Sequence, residues 1–491
     1  MQDRLAERIT DVYLITMLLL FPLFFGFSGY GEVTLSKYVF LLTATGLWLA
    51  ALVAAAALRR LRPPRLSPVM WAAVAAAAVA LLSWLCSGDP GQSFLGAGRY
   101  DGLLTALVYA LIFLGVAAFS RPKLLHARAF ALAVSLCLLV ALLQLGGGNP
   151  LGLYPGDWTY FDHGIQYSGV YLGTIGNTNI LDALCCLALP LFAGLYISTK
   201  RWEFLIPTAL AVPVLVKAGG DGAYLALLTL GLIGPILLLT DVDRIRRALQ
   251  LASLLLLMAA LALWWQPAPG VPLRFVYARA VGWLVLAAPV CGALSRVPLP
   301  ASFSPAPRKL RIVFAALAGA CAVAGLIVVF CWRGTSGTVY ELSRILHGEL
   351  DDRFGSSRIR IWRGCLALVP ERPLLGHGPG MLAAKLDVEF SRFVPETGET
   401  LRSYVDNAHN VYLGALVNTG IAGLAALLAQ LALAGREAAK RLDDPLRLSL
   451  TLGALCAAVH GFFGLGLCLS QPLFWLCLGL LCADTQKNTD V

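Results

Sequence analysis

Apolar residues fill long blocks of this chain, separated by short polar stretches. A helix needs roughly 20 apolar residues to cross a hydrocarbon core about 30 Å thick. Blocks that long predict spans near 12–29, 38–58, 69–86, 103–120, 129–146, 178–198, 204–217, 222–240, 248–265, 276–294, 312–331, 408–434, 448–465 and 467–483. The pattern is that of an all-α polytopic membrane protein with about 12–14 transmembrane helices. It divides into transmembrane helices over 1–331 with outer loops at 87–102 and 147–177, a large extracytoplasmic loop with short helices at 332–407, and C-terminal transmembrane helices over 408–491. Arg4 and Arg8 precede an apolar run without a small-residue cleavage site, so the first span is expected to be retained rather than removed as a signal peptide.

Composition agrees with the pattern. Of 491 residues 58% are hydrophobic and 13% charged, against roughly 25% charged in a soluble domain. The net charge of +10 is then first a topology signal and gives no reason to invoke nucleic acid as a partner; the implied partner is the bilayer. With the N-terminus in the cytosol, 23 of the 38 Lys and Arg fall in inner segments, 5 in short outer ones and 10 in the long segment 332–407. That asymmetry predicts both termini in the cytosol and the long loop outside. Most of the 12 cysteines sit inside apolar runs, without the spacing of a disulfide framework or a zinc site.

The long loop concentrates the candidate chemistry. Its ten basic and ten acidic residues balance, so it implies local sites and no general field. Ser356 and Ser357 can cap a helix that Pro370 ends, and Arg358 and Trp362, four apart, share a face of it. The stretch 373–380, Pro-Leu-Leu-Gly-His-Gly-Pro-Gly, reads as a turn. Then come Asp406, Asn407, Ala408, His409 and Asn410 at the mouth of an apolar helix too long for the hydrocarbon core, which puts His409 at the outer interface. Asp406 could orient the imidazole and favour its protonated form. Gly420 and Gly423, on the same helix, suit close packing. Trp158, Tyr160, Phe161 and His163 in the second outer loop could face a sugar or anchor the interface. Asp241 and Asp243 read as a solvated helix end, Asp387 and Glu389 make a weak cation pair, and His126, His347, His377 and His460 have no partner arrangement. No metal set and no cofactor motif emerges.

His409-Asn410, nine residues, Gly420, two residues, Gly423 resembles the His-Asn-x9-Gly-x2-Gly pattern of the O-antigen ligase and bacterial polysaccharide polymerase superfamily. Arg358-x3-Trp362 followed by 373–380 resembles that family's Arg-x3-Trp and Pro-Leu-x-Gly-x-Gly-x-Gly. Gly176-Asn177-Thr178-Asn179 with Pro190 is similar to its Gly-Asn-Pro-Asn helix start, and Arg99 to Leu103 to its Arg-x2-Gly-Leu element. The resemblance runs roughly from Arg99 to Gly423. It implies a metal-independent glycosyltransferase of the bacterial cytoplasmic membrane that works on the outer face. The donor would be a glycan on undecaprenyl diphosphate, and the acceptor a hydroxyl on lipid, glycan or protein. The resemblance makes His409 the base, with Asp406 beside it. Arg358, then Arg99, would hold the departing diphosphate, because guanidinium pairs with phosphate through two parallel hydrogen bonds. Asn410, Trp362, Gly420 and Gly423 complete the motif.

One position departs from the family. Where Ser-Arg-Gly-Ala is expected, this chain has Gly219-Gly220-Asp221-Gly222-Ala223, an aspartate in place of the arginine. Lys217 could supply the cation as a point charge; Asp221 could instead mark a different donor or be a cation's partner. Two other functions compete: a transporter or flippase for lipid-linked glycan or a small anion, and a non-catalytic scaffold of envelope glycan assembly. A transporter calls for inverted repeats and mid-membrane ionisable residues, and Lys217 and Asp221 are the nearest candidates.

Overall fold

The computed structural model describes residues 2–58, 64–146, 148–154, 161–162, 165–166, 172–265, 275–298, 306–394 and 399–483. Each predicted apolar block carries a helix. Eight, among the described residues, are long and apolar enough to cross a membrane; Leu103–Phe119, Ala280–Leu294, Pro445–His460 and Gln471–Cys482 are shorter apolar helices. Gln471–Cys482, with 12 residues, is about 18 Å long, short of the ~30 Å core. Helix breakers set such lengths: the prolines Pro445 and Pro472 stand in first turns.

Burial separates the centre from the rim. In Thr178–Thr199, 94% of the apolar window is buried, whereas in Pro307–Phe330, the most apolar span, none is. A helix apolar on every side needs apolar surroundings on every side; the first finds them in protein, the second in lipid. Thr178–Thr199 packs against Pro445–His460 and Leu205–Ala218. Gly194 lies so close to Ser449 that an added Cβ would sit 2.8 Å from its Oγ. The first span is interrupted: Gln2–Ile15 passes into a π-helical stretch, Thr16–Leu20, and ends at Leu23. Lys37 is fully buried and donates to the orphaned carbonyls of Phe21 and Pro22 at 2.8 and 3.1 Å. All 12 cysteines are free.

The long segment 332–407 shares a second core with the start of the Val411–Ala439 helix: Ile361, Cys365, Leu382, Leu386, Val388, Ala408 and Val417. The segment's helices are Thr338–Leu346, Phe354–Leu368 and the short Leu382–Lys385. It also holds an antiparallel hairpin, Glu389–Val394 with Glu399–Tyr404, in addition to the helices expected. Ser356 and Ser357 do not cap the helix as expected: with Gly355 they take left-handed φ values of 57°, 66° and 61°, a turn that swings the chain into Arg358.

The stretch 373–380 is more than a turn: it is spliced into a transmembrane helix. Val411–Ala439 breaks at Gly420, where φ is 69° and ψ −170°. The break frees carbonyls on one side and amides on the other. His377 N donates to Val417 O at 3.0 Å and Gly378 N to Asn418 O at 2.9 Å. In return Ile421 N donates to Pro373 O at 2.8 Å and Ala422 N to Leu374 O at 3.2 Å. The other face of the splice receives Ser87 Oγ on His377 O at 3.0 Å and Ser93 Oγ on Pro379 O at 2.9 Å. One loop thus fixes the outer loop 87–102 and the start of the Val411 helix relative to each other.

Candidate active site

His409 sits in the turn before the Val411–Ala439 helix, in a left-handed conformation with φ 48°. The turn is held from several directions. Asn410 is the N-cap, its side chain accepting from the amides of Tyr412 and Leu413 at 3.0 Å. Asn407 Oδ1 accepts from the His409 amide at 3.0 Å. Trp362 donates its indole N–H to Ala408 O at 3.0 Å, and Val411 N reaches Gly461 O at 2.8 Å. A non-glycine residue at positive φ is uncommon and persists where its surroundings over-determine it; here both neighbours and the following helix do so.

Two ion pairs flank the turn. Arg99 Nε lies 2.6 Å from Asp406 Oδ2, so the carboxylate expected to orient His409 is engaged by an arginine 307 residues away in sequence. Arg358 is buried and places Nη1 2.7 Å from Asp221 Oδ2 and 2.9 Å from Gly355 O. Its Nε has no hydrogen-bond partner among the described residues. Its guanidinium lies 5.7 Å from the Phe463 ring, which Trp362 also meets at 5.6 Å between centroids. Arg358 and Trp362 therefore share a face, as their spacing predicts.

Burial, and then the positive charge of Arg358, lower the His409 pKa from 6.5 to about 4. Asp406 pulls the other way, as expected of it, but is outweighed, and Arg99 adds to the lowering. The imidazole is neutral at physiological pH, so its nitrogen is free to accept a proton, and anions are drawn to the arginines beside it. Asp101, half-buried in the loop that carries Arg99, has its carboxyl pushed up by desolvation.

Hydrogen bonds, the Arg99–Asp406 ion pair and the His409 turn itself thus join His409, Asp406, Arg99, Trp362 and Asn410, and Arg358 meets them through the Phe463 ring it shares with Trp362. Gly420 acts through the splice; Gly423 is a packing position, facing the Thr419 side chain. Lys217 is not brought to them: its Nζ donates to Trp265 O at 2.5 Å, at the end of Val242–Trp264. Trp158, Tyr160 and His163, with the Phe161 side chain, lie outside the described residues. Asp241 caps its helix through the Arg244 amide at 2.8 Å. Glu389 pairs with Arg402 at 3.4 Å.

Two residues stand beside the glycine hairpin 219–222: Asp182, which the sequence did not single out, and His460, for which it showed no partner arrangement. Asp182 is 2% exposed, and an added Cβ on Gly220 would fall against its Oδ2. His460 is 5% exposed, and a Cβ on Gly222 would stand 3.2 Å from its Nε2. The available signal was an ionisable side chain inside an apolar helix.

No curated protein matches the chain. Residues 236–428 match the family model described as O-antigen ligase. The match takes in Arg358, Trp362, the splice, His409, Asn410, Gly420 and Gly423, while Arg99, Asp221 and His460 fall outside it. The chain is a multi-span membrane protein that carries an O-antigen ligase family domain over residues 236–428.

Proposed function

We propose that this protein moves a glycan from an undecaprenyl-diphosphate carrier to an acceptor hydroxyl on the outer face of the bacterial cytoplasmic membrane, without a metal. The Lys and Arg distribution supports both termini in the cytosol. His409 takes the proton from the acceptor oxygen. That oxygen forms the new bond to the anomeric carbon as the bond from this carbon to the diphosphate breaks. The electron pair leaves with the diphosphate, whose charge Arg358 and Arg99 receive. Asp406 and Trp362 position the histidine turn. The observation that carries the reading is a half-buried imidazole, held in its turn by Asn407, Asn410 and Trp362 and lowered in pKa by burial and two nearby arginines, inside a span that matches the ligase family.

The test is transfer itself. Purified protein, given undecaprenyl-diphosphate glycan and candidate acceptors, should form the glycosylated product with release of undecaprenyl diphosphate, at the same rate with EDTA. Movement of intact donor across sealed proteoliposomes with no product would instead establish a flippase.

Asp221 has a definite place in this reading. It is Arg358's counter-ion in the unliganded site, so the donor diphosphate must displace a carboxylate to reach the guanidinium. Asp221→Asn removes that competition and leaves Arg358 its bond to Gly355 O. The donor KM should fall roughly 3- to 10-fold, of the order of 1 kcal/mol. A KM that rises would mean that Asp221 holds Arg358 in place for the donor instead of competing with it.

A further inference from the structure

A narrow apolar cleft opens beside the histidine turn. Leu184 and Leu187, Leu427 and Leu431, and Phe474 and Trp475 form its walls, drawn from three helices. Val411 and Tyr412, which follow directly on His409 and Asn410, line it as well. Residues on both sides of the Gly420 break thus face the same space.

His460 lines this cleft too. Its ring is 5% exposed and has no hydrogen-bond partner among the described residues. Glycines make room for it on two sides. A Cβ on Gly222 would stand 2.9 Å from its Cδ2, and one on Gly464 2.5 Å from its Nδ1. Asp221, next to Gly222, holds Arg358, whose guanidinium lies over the ring of Phe463, next to Gly464. The unpartnered imidazole therefore stands where the cleft meets the Arg358 cation. Buried polar groups are normally satisfied, so a cradled ring left open toward an apolar cleft marks a place for a ligand's polar atom.

We infer that the cleft receives the polyprenyl chain of the donor, with the His460 N–H donating to the phosphate attached to that chain. An apolar wall ending in a neutral donor and a guanidinium is complementary to a hydrocarbon tail that ends in diphosphate. The assignment rests on the glycan-transfer reading. His460 then binds the lipid end of the donor, while His409 acts on the acceptor.

Binding to the full-length protein, measured by native mass spectrometry with undecaprenyl diphosphate, undecaprenol and phosphatidylglycerol as probes, tests this. His460→Ala should weaken undecaprenyl diphosphate roughly tenfold or more and leave undecaprenol unchanged. His460→Gln, which keeps an N–H donor, should recover most of the loss. Leu427→Trp, which fills the wall, should weaken both polyprenyl lipids. Melting curves of each variant show whether it is folded, and the three substitutions do not share a folding risk. Wild-type binding that none of the three alters overturns the inference and leaves the transfer reading standing. Equal competition by phosphatidylglycerol overturns it as well, making the cleft an ordinary lipid groove. A wild-type protein that binds no undecaprenyl diphosphate overturns both.

Discussion

His409→Ala should lower the rate of glycan transfer by about 10²–10⁴-fold while the protein still binds the lipid-linked donor. The side chain is not needed to hold the fold. The turn is fixed by the Asn407 and Asn410 side chains, the Trp362 indole and the Val411 amide, all acting on backbone. What the substitution removes is a proton acceptor. The pH profile makes the claim sharper. With the His409 pKa lowered to about 4, the imidazole stays neutral as pH falls through 6.5. The acid limb of kcat/KM, which reports the free enzyme, should therefore centre near 4. A bound diphosphate offsets the positive charge of Arg358, one of the causes of the lowering. The acid limb of kcat should then lie at higher pH than that of kcat/KM. Arg358→Gln should move the kcat/KM limb in the same direction in whatever activity remains. Transfer that survives His409→Ala, or a kcat/KM limb at 6.5 unaffected by Arg358, would remove His409 from the mechanism.

Local chemistry made much of this legible. Apolar blocks predicted the helices because hydropathy is a property of the segment itself. Asn410 and Asn177 could be read at helix starts because capping involves residues two or three positions away. Contacts between distant segments were different. Asp221 could be noticed as a departure from a family pattern, with pairing to a cation as one reading of it. That its partner is Arg358, 137 residues on, depends on how the 219–222 hairpin meets the outer helix. The same holds for Asp406, which sequence spacing assigns to His409 and the fold gives to Arg99. The outer hairpin escaped because Phe390 and Phe393 are three apart, which breaks the alternation expected of a half-exposed strand. His460 offered one polar residue in an apolar run; its significance is the glycine backbones that cradle it and the cleft it lines, which no spacing encodes.

Gly420→Ala should be the most destabilising small change in the family motif, and the reason is backbone geometry. With φ 69° and ψ −170°, this position lies in a region essentially reserved for glycine, where other residues incur about 1–3 kcal/mol. An added Cβ would land on the carbonyl of Leu374 and 2.6 Å from Leu375 N. Those are backbone atoms, pinned by the bonds of Ile421 and Ala422 to Pro373 O and Leu374 O, so they cannot rotate aside. Relief requires opening the splice and giving up interhelical hydrogen bonds worth about 0.5–1.5 kcal/mol each. A total near 3 kcal/mol corresponds to a loss of roughly 3 °C in Tm for a chain of 491 residues. Transfer should fall with it, because the splice holds loop 87–102, and so Arg99, against Asp406. Gly414→Ala is the control. It lies on the same helix before the break, and its new methyl would meet nothing within 4 Å. Because alanine is the better helix former, that variant should melt with the wild type or slightly above it. Thermal unfolding of both in detergent decides the matter. If Gly420→Ala melts with Gly414→Ala, the splice does not carry the load assigned to it.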